Sequence, residues 1–247
     1  MDALECIATR RSIRRFLEVP VDFETMMTIL EAGSLAPSSG NIQDWRFILI
    51  TEKELQHKIA DLSMGQDCVH NAAFLVVACV DTTTTERRYG LRGQRLYAVQ
   101  DCAAAIENML LAAHALEVGG VWIGAFDEEK LKFLLGMPPE ARPQAVLAFG
   151  YPSEAPDQKI IRELNMVTFF NSYGMKIKNF SRLVNDYSLD WQQRINTART
   201  FIGQMKEKSK EVAKETTKVM TKEGGSFLKK YKDKIKEKFK KNNDMKK

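Results

Sequence analysis

Apolar and polar positions follow two different periods along the chain, which predicts a mixture of strands and helices. Short, nearly continuous apolar runs have the length and content of buried strands, at residues 45–51, 72–80, 119–126 and 144–152. Stretches with helical spacing or a helix-favouring polar composition alternate with them, at residues 2–9, 22–35, 52–62 and 127–136. Asp22 and Asp127 stand at the expected N-caps of two of these helices. The pattern predicts an α+β domain.

The longest helical pattern runs from Gln94 to Val118. Its apolar residues repeat at alternating steps of three and four, at Leu96, Val99, Ala103, Ile106, Leu110 and Ala113. Runs of alanine within it allow close approach of a second backbone. Two interpretations fit this seam: a central core helix, or the core of a homodimer.

Charge divides the chain into two parts. Residues 1–174 hold 16 basic and 23 acidic side chains, whereas residues 175–247 hold 21 basic and 9 acidic ones. This division predicts an acidic domain over 1–174 and a basic, mostly helical C-terminal extension over 175–247.

Several classes of protein are disfavoured by what the sequence lacks. No run of about 18 apolar residues is present, so we expect no membrane-spanning helix. The first residues lack the order of a secretory signal, so we expect a cytoplasmic protein with reduced thiols. The cysteines and histidines are scattered, so we expect no metal site; they are Cys6, Cys68, Cys79, Cys102, His57, His70 and His114.

The segment 226–241 of the extension has its own pattern. Apolar residues fall on one narrow helical face while eight lysines occupy the rest. This is typical of an interfacial helix on an anionic membrane surface, which would make the protein peripheral at the membrane. The alternative is a solvated helix packed on its own dimer. Nucleic acid is disfavoured because aromatic platforms and arginines are scarce there.

A cluster of arginines opens the domain, in the sequence Arg-Arg-Ser-Ile-Arg-Arg-Phe at residues 10–16, called here the arginine stretch. Guanidinium groups bind phosphate oxygens in pairs, and the Ser12 hydroxyl adds a donor. A phosphate monoester therefore fits this cluster. The alternative is a solvated basic face.

A second stretch, Ala-Pro-Ser-Ser-Gly-Asn-Ile-Gln-Asp at residues 36–44, is called here the serine loop. Asn41 and Gln43 offer donors and acceptors together, as the edge of a heteroaromatic ring requires. The alternative is an ordinary helix-to-strand connection, where serine, glycine and asparagine supply the turn.

These two stretches, together with "GGVWIGAF" (119–126), "MGQDCVHNAAFLVV" (64–77) and "DQKIIRELNMVTFFNSYG" (157–174), occur in an order that resembles the nitroreductase-like FMN-dependent oxidoreductase family. The resemblance covers residues 1–174. It implies a nitroreductase-type α+β fold with a central mixed or antiparallel sheet flanked by helices. It also implies a homodimer with FMN bound non-covalently at the interface.

The resemblance also assigns cofactor-binding residues. It implies that Arg10 and Ser12 contact the FMN phosphate, Arg11 contributes through backbone or phosphate contact, and Arg14 lies near the pyrimidine edge of the flavin. It implies that four residues reach the flavin from the neighbouring subunit: Pro37, Ser38, Ser39 and Asn41. Gln66 and Asn71 are candidates for the ring or ribityl chain, and the backbone of Gly124 and Ala125 faces the flavin N5. Arg162, or Lys159 in a shifted register, closes on the phosphate. No catalytic side chain and no metal ligand is assigned.

The function implied is transfer of hydride from NAD(P)H through the flavin to a small organic acceptor such as a quinone or nitroaromatic compound. The alternative is a non-catalytic FMN-binding redox sensor or flavin carrier. The chain departs from the family pattern at Asp44, where many relatives have proline, which makes the serine loop less rigid. The short segment 82–93 leaves little chain for a lid. Its Arg87, Arg88 and Arg92 belong either to a solvated loop or to a site for an anionic substrate or nicotinamide phosphate.

Overall fold

The computed structural model describes residues 1–157 and 159–176. Its centre is a four-stranded antiparallel sheet with the order β1-β2-β4-β3. The strands are β1 (Trp45–Ile50), β2 (Phe74–Asp81), β3 (Gly119–Ile123) and β4 (Ala141–Gly150). The four predicted strands are confirmed, with ends that differ by at most three residues. The extension from 177, including 226–241, lies outside the described residues.

Helices surround the sheet: α1 (Ala3–Thr9), α2 (Phe23–Ser34), α3 (Lys53–Leu62), α4 (Asp67–His70), α5 (Thr83–Arg92), α6 (Ala98–Ala115), α7 (Glu128–Leu134) and α8 (Leu164–Val167). A short 3₁₀ turn covers Ser39–Asn41, and a π-helical turn covers Gly93–Tyr97. The predicted caps are confirmed, because Asp22 accepts a hydrogen bond from the Thr25 backbone at 2.8 Å and Asp127 accepts one from Lys130 at 3.1 Å. None of the helices described has the length and apolar character needed to cross a bilayer.

The strand β2 organises a core on both faces of the sheet. Phe74, Val76 and Ala78 pack with α2 and α6, while Leu75 and Val77 pack on the other side with residues of α3, α4 and α7. Burial on both faces explains why this strand reads as a continuous apolar run. The sheet therefore has two helical layers, one on each side.

The long helix α6 is a central core helix. Ile106, Met109 and Ala113 are fully buried, and Gly33 of α2 lies so close that an added Cβ would meet Met109 Cγ at 2.8 Å. A second face of α6, which carries Ala104 and Leu111, is only half-buried. The core interpretation is confirmed, and the homodimer stays a prediction.

The segment 82–93 is not the loop that its composition suggests. Thr83–Arg92 form a helix, and the Asp81 carboxylate accepts a hydrogen bond from the Thr83 backbone at 3.1 Å. Threonine has a weak intrinsic helix preference, so local sequence gave little sign of this helix. Tertiary contacts of its buried Thr85 hold it in place.

Candidate active site

The backbone of the arginine stretch is fixed by the ends of two strands. Ser12 forms a parallel bridge with Gly120 of β3, and Phe16 forms an antiparallel bridge with Pro152 after β4. The Ile13 N–H donates to the Gly120 carbonyl at 3.1 Å. Ile13 and Phe16 are buried, whereas Arg14 and Arg15 are exposed. The stretch therefore presents its polar side chains from a rigid, extended backbone.

The charges of the arginine stretch are only partly neutralised. Arg10 reaches Glu107 of α6 with two contacts, Nε to Oε1 at 3.2 Å and Nη2 to Oε2 at 3.5 Å. Within the described residues, Arg11, Arg14 and Arg15 have no carboxylate at ion-pair distance. The nearby Glu154 carboxylate is bound instead by the backbone N–H groups of Arg14 and Arg15, at 2.6 and 3.2 Å. The excess of guanidinium donors fits a polyanionic ligand.

The helix α4 carries Gln66 and Asn71 at its two ends. Gln66, the N-cap, donates from Nε2 to the Ser63 carbonyl at 3.0 Å, and Asn71 follows the last turn and is exposed. Burial raises the pKa of the Cys68 thiol of α4, and the positive charge of Arg14 partly opposes this shift. Arg14 therefore acts electrostatically on α4, and its approach to Gln66 and Asn71 stays a prediction.

Gly124 and Ala125 follow β3 directly and are exposed. A Cβ built on Gly124 would meet no atom within 4 Å, so the backbone faces open space. The Asp127 N–H nearby donates to the Leu62 carbonyl at 2.9 Å, which fixes the turn. A planar ring can approach this backbone without a side chain in its path, as the resemblance requires of a flavin.

The serine loop is held by its own side chains and by α6. The Ser39 N–H and hydroxyl donate to the two oxygens of Asp101, at 2.8 and 3.0 Å. The Gln43 backbone donates to the Ser38 hydroxyl at 3.0 Å, and the Gln43 amide donates to Asn41 Oδ1 at 2.9 Å. Gly40, Asn41 and Gln43 all have a φ of 56–58°, the left-handed conformation. Pro37 is exposed at the start of this loop.

Asp44 stands where many relatives have proline, and its own hydrogen bonds stabilise the serine loop. Its side chain is buried and accepts a hydrogen bond from the Thr85 hydroxyl at 2.6 Å, and its carbonyl accepts one from the Asp81 N–H at 2.8 Å. Burial raises the pKa of Asp44, the Thr85 hydrogen bond opposes the shift, and the Asp101 charge raises it further. The side chain and carbonyl of Asp44 therefore hold this end of the loop through hydrogen bonds, at the position where many relatives have proline.

The two halves of the candidate site contact different faces of α6. Arg10 pairs with Glu107 and Ser39 with Asp101, and six positions along an α-helix correspond to directions about 120° apart. Sequence reasoning missed both acidic residues as partners. The sequence indicates them only as two acidic residues, Asp101 and Glu107, within a helical pattern rich in alanine and leucine.

The remaining candidates are less constrained. Arg162 is exposed after β4, as is Lys159, so the closing role on the phosphate stays a prediction.

His114 is buried beside Thr9, with 2.7 Å between Nε2 and the hydroxyl oxygen, and burial with the Arg10 charge lowers its pKa to about 4. Burial raises the pKa of Cys79 and of Cys102 to about 12. These groups are therefore structural, and no side-chain nucleophile is indicated among them.

Comparison with known proteins places the chain in a family. The model of the nitroreductase family matches residues 7–66 and 63–151. The chain belongs to the nitroreductase family. This nitroreductase-family chain is 32% identical over 177 residues to the oxygen-insensitive NADPH nitroreductase of Salmonella typhimurium, covering 69% of this chain and 74% of that protein.

A second relative and a solved structure extend this result. The FMN reductase [NAD(P)H] of Bacillus subtilis is 30% identical over 172 residues, covering 64% of this chain and 69% of that protein. The crystal structure of nitroreductase A from Vibrio parahaemolyticus superposes with a TM-score of 0.65 at 26% identity, covering 79% of this chain and 86% of the other. The predicted nitroreductase-type α+β fold is confirmed.

Proposed function

We propose that this chain is an NAD(P)H-dependent flavin oxidoreductase that binds FMN non-covalently and passes hydride to a small organic acceptor of the quinone or nitroaromatic type. The observation that carries the proposal is the arginine stretch, a set of guanidinium groups on a fixed backbone whose single side-chain carboxylate partner among the described residues is Glu107. The names of the relatives, a nitroreductase using NADPH and an FMN reductase using NAD(P)H, support the same cofactor and donor.

The residues of this chain have separate tasks in the proposal. Arg10 and Ser12 bind the terminal phosphate, with Arg10 oriented by Glu107. Arg14 lies beside the pyrimidine edge, where a cation stabilises negative charge. The open backbone at Gly124 leaves the reacting face accessible. FMN, when bound, supplies the hydride chemistry itself, so the protein positions and tunes it.

The site is proposed to form across a homodimer. The arginine stretch and the serine loop contact different faces of α6. We therefore propose that a flavin bound by both contacts the arginine stretch of one copy of the chain and the serine loop of a second copy. The half-buried face of α6 that carries Ala104 and Leu111, seven positions apart, offers a surface for helix packing. In this arrangement Pro37, Ser38, Ser39 and Asn41 reach the flavin of the neighbouring subunit.

The non-catalytic alternative, an FMN-binding sensor or carrier, is less well supported. Two features of the sequence favour it: the short segment 82–93, which leaves little chain for a lid, and the basic C-terminal extension. The segment is an ordered helix joined to the serine loop by Thr85 and Arg88. The relatives compared above have enzymatic names.

The experiment is cofactor analysis followed by turnover. Purified protein is expected to be yellow, with one FMN per subunit released on denaturation, and to oxidise NADH or NADPH when a quinone or nitroaromatic compound is present. A colourless protein that does not bind added FMN would refute the proposal. A flavin that no acceptor reoxidises would favour the carrier instead.

A further inference from the structure

The segment from Thr83 to Tyr97 folds back on itself beside the serine loop. Gly90 interrupts α5 with a φ of 61° and a ψ of −153°, a conformation that favours glycine. Gly93 then lies against the Thr85 carbonyl, where an added Cβ would collide with the backbone. The π-helical turn Gly93–Tyr97 therefore packs against α5. We call residues 83–97 the α5 hairpin.

The α5 hairpin is joined to the serine loop at three points. The Thr85 hydroxyl binds Asp44, and Arg88 donates from Nη1 to the Gly40 carbonyl at 3.3 Å. The Tyr89 hydroxyl lies so close to Gly40 that a side chain at Gly40 would collide with it. Because the serine loop is proposed to line the flavin, these contacts make the α5 hairpin part of the same wall.

The hairpin carries a concentrated positive charge. It contains Arg87, Arg88, Arg92 and Arg95 and one acidic residue, Glu86, which accepts a hydrogen bond from Gln94 at 3.0 Å. In the described parts of the chain, no carboxylate lies at ion-pair distance from any of these arginines. This charge stands out because residues 1–174 as a whole are acidic, with 23 acidic against 16 basic side chains. A local field of this kind attracts anions.

Two of the guanidinium groups are held by an aromatic pair. Tyr89 and Tyr97 meet edge to face with ring centroids 5.3 Å apart. Arg88 Cζ lies 5.5 Å from the centre of the Tyr89 ring, and Arg92 Nε donates to the Tyr97 hydroxyl at 3.0 Å. The Arg88 hydrogen bond to Gly40 and the Arg92 hydrogen bond to Tyr97 each use one N–H of a guanidinium group that has five, so donors remain for an anion. The arginines are therefore oriented in advance and still able to bind.

We propose that Arg88 and Arg92 bind the 2′-phosphate that distinguishes NADPH from NADH. The inference rests on the proposed function, because it assumes that a nicotinamide dinucleotide approaches the flavin along the serine loop. Arg88 lies over the Tyr89 ring and Arg92 over the Tyr97 ring, and these two rings are in contact. A dianionic phosphate attracts guanidinium groups on this surface strongly, and a neutral ribose hydroxyl does not. The α5 hairpin would thus set the nucleotide preference of the enzyme in favour of NADPH.

Two measurements on the double variant Arg88→Gln/Arg92→Gln test this site. In FMN-loaded protein, the apparent Kd for NADPH in the flavin-reduction half-reaction is expected to rise about tenfold or more, because the variant loses hydrogen bonds between charged groups. The apparent Kd for NADH should change less than about twofold. Without any turnover, titration calorimetry should show that adenosine 2′,5′-bisphosphate binds the wild-type chain more tightly than adenosine 5′-monophosphate, and that the variant loses this difference. Lys58→Gln removes one exposed positive charge on α3 and serves as the control.

The outcomes separate this inference from the proposed function. Equal changes for NADPH and NADH, no change for either, or an effect confined to anionic acceptors in the oxidative half-reaction would overturn the phosphate site. An unchanged FMN content in the variant shows that the hairpin was altered without loss of the flavin site. Failure of the wild-type chain to bind FMN would refute the proposed function, while the calorimetric difference between the two adenosine nucleotides would still support or overturn the phosphate site.

Discussion

The arginine stretch and the serine loop both contact α6, but they are built in opposite ways. In the stretch, strand-like bridges at Ser12 and Phe16 fix the backbone and leave most guanidinium groups without a carboxylate partner among the described residues. In the loop, the side chains themselves hold a left-handed backbone, through Ser39 with Asp101 and Gln43 with Asn41. The first region keeps charge available for a ligand, and the second uses its polar groups to keep a shape.

Because of this difference, mutations in the two regions should weaken FMN binding for different reasons. Removing a guanidinium group from the stretch removes affinity without disturbing the fold. Removing a polar group from the loop disturbs the shape first, and affinity follows from that. The expected loss of FMN affinity decreases from Arg10→Ala to Asp101→Ala to Asp44→Asn, and the control for Arg10 follows it directly.

Arg10→Ala is expected to weaken FMN binding about 100-fold, because two charged hydrogen bonds to phosphate contribute roughly 3 kcal/mol or more. Equilibrium titration followed by flavin fluorescence measures this change. Arg14→Ala should slow flavin reduction more than it weakens binding, because we propose that Arg14 lies at the ring and not at the phosphate.

Glu107→Gln is the matched control for Arg10. It removes the negative charge of the partner, while the amide oxygen can still accept a hydrogen bond that orients Arg10, so FMN affinity should be kept or increased. If Arg10→Ala and Glu107→Gln weaken FMN equally, the ion pair matters for holding α1 on α6, and Arg10 does not bind phosphate.

Asp101→Ala is expected to weaken FMN binding about tenfold and to lower the melting temperature, because it leaves the two Ser39 donors without their acceptor. Ser39→Ala removes only the hydroxyl and should show a smaller loss of both. Thermal unfolding of the flavin-free protein separates the two regions, since Arg10→Ala should leave that melting temperature nearly unchanged. A fall in FMN affinity with no change in stability would contradict a shape role for the loop.

Asp44→Asn is expected to change the pH dependence of stability more than FMN affinity. Burial raises the pKa of Asp44 above its ordinary value of 3.8, so the folded state binds the Asp44 proton more tightly than the unfolded chain does. This contribution to stability is fully present below that ordinary value and is lost as pH rises through the raised pKa. The wild-type chain should therefore lose stability relative to Asp44→Asn as pH rises above about 4. Melting temperatures of the two proteins measured over a series of pH values report this difference. Parallel pH profiles would show that Asp44 does not titrate in this range.

Truncation after Gly225 is expected to leave FMN affinity unchanged within about twofold, because both regions lie in residues 1–174. The same truncation should abolish sedimentation with anionic vesicles at low salt, if 226–241 binds lipid through its lysines. Neutral vesicles provide the control. Full-length protein that does not bind anionic vesicles would remove the membrane hypothesis.

The sequence predicted the parts of this fold that depend on local pattern. The four strands, the capping aspartates Asp22 and Asp127, and the buried helix α6 follow from periodicity and composition, and the family followed from the order of short motifs. The parts it missed depend on partners distant in the chain. The helix at Thr83–Arg92 is held by Asp44, 41 positions from Thr85, and Glu107 lies 97 positions from Arg10. Local propensity carries no information about such pairs, so a polar, threonine-rich segment was interpreted as a loop.

The central claim is that each flavin is held by the arginine stretch of one subunit and the serine loop of another. Co-expression of an Arg10→Ala chain with an Asp101→Ala chain, each with a different affinity tag, tests it most directly. In a mixed dimer built in this way, one site carries both changes and the other carries neither. The purified mixed dimer is therefore predicted to hold one FMN per dimer with wild-type affinity, while each parent homodimer binds FMN weakly. If no site of wild-type affinity is recovered in the mixed dimer, both halves of the site come from the same chain and the account is wrong.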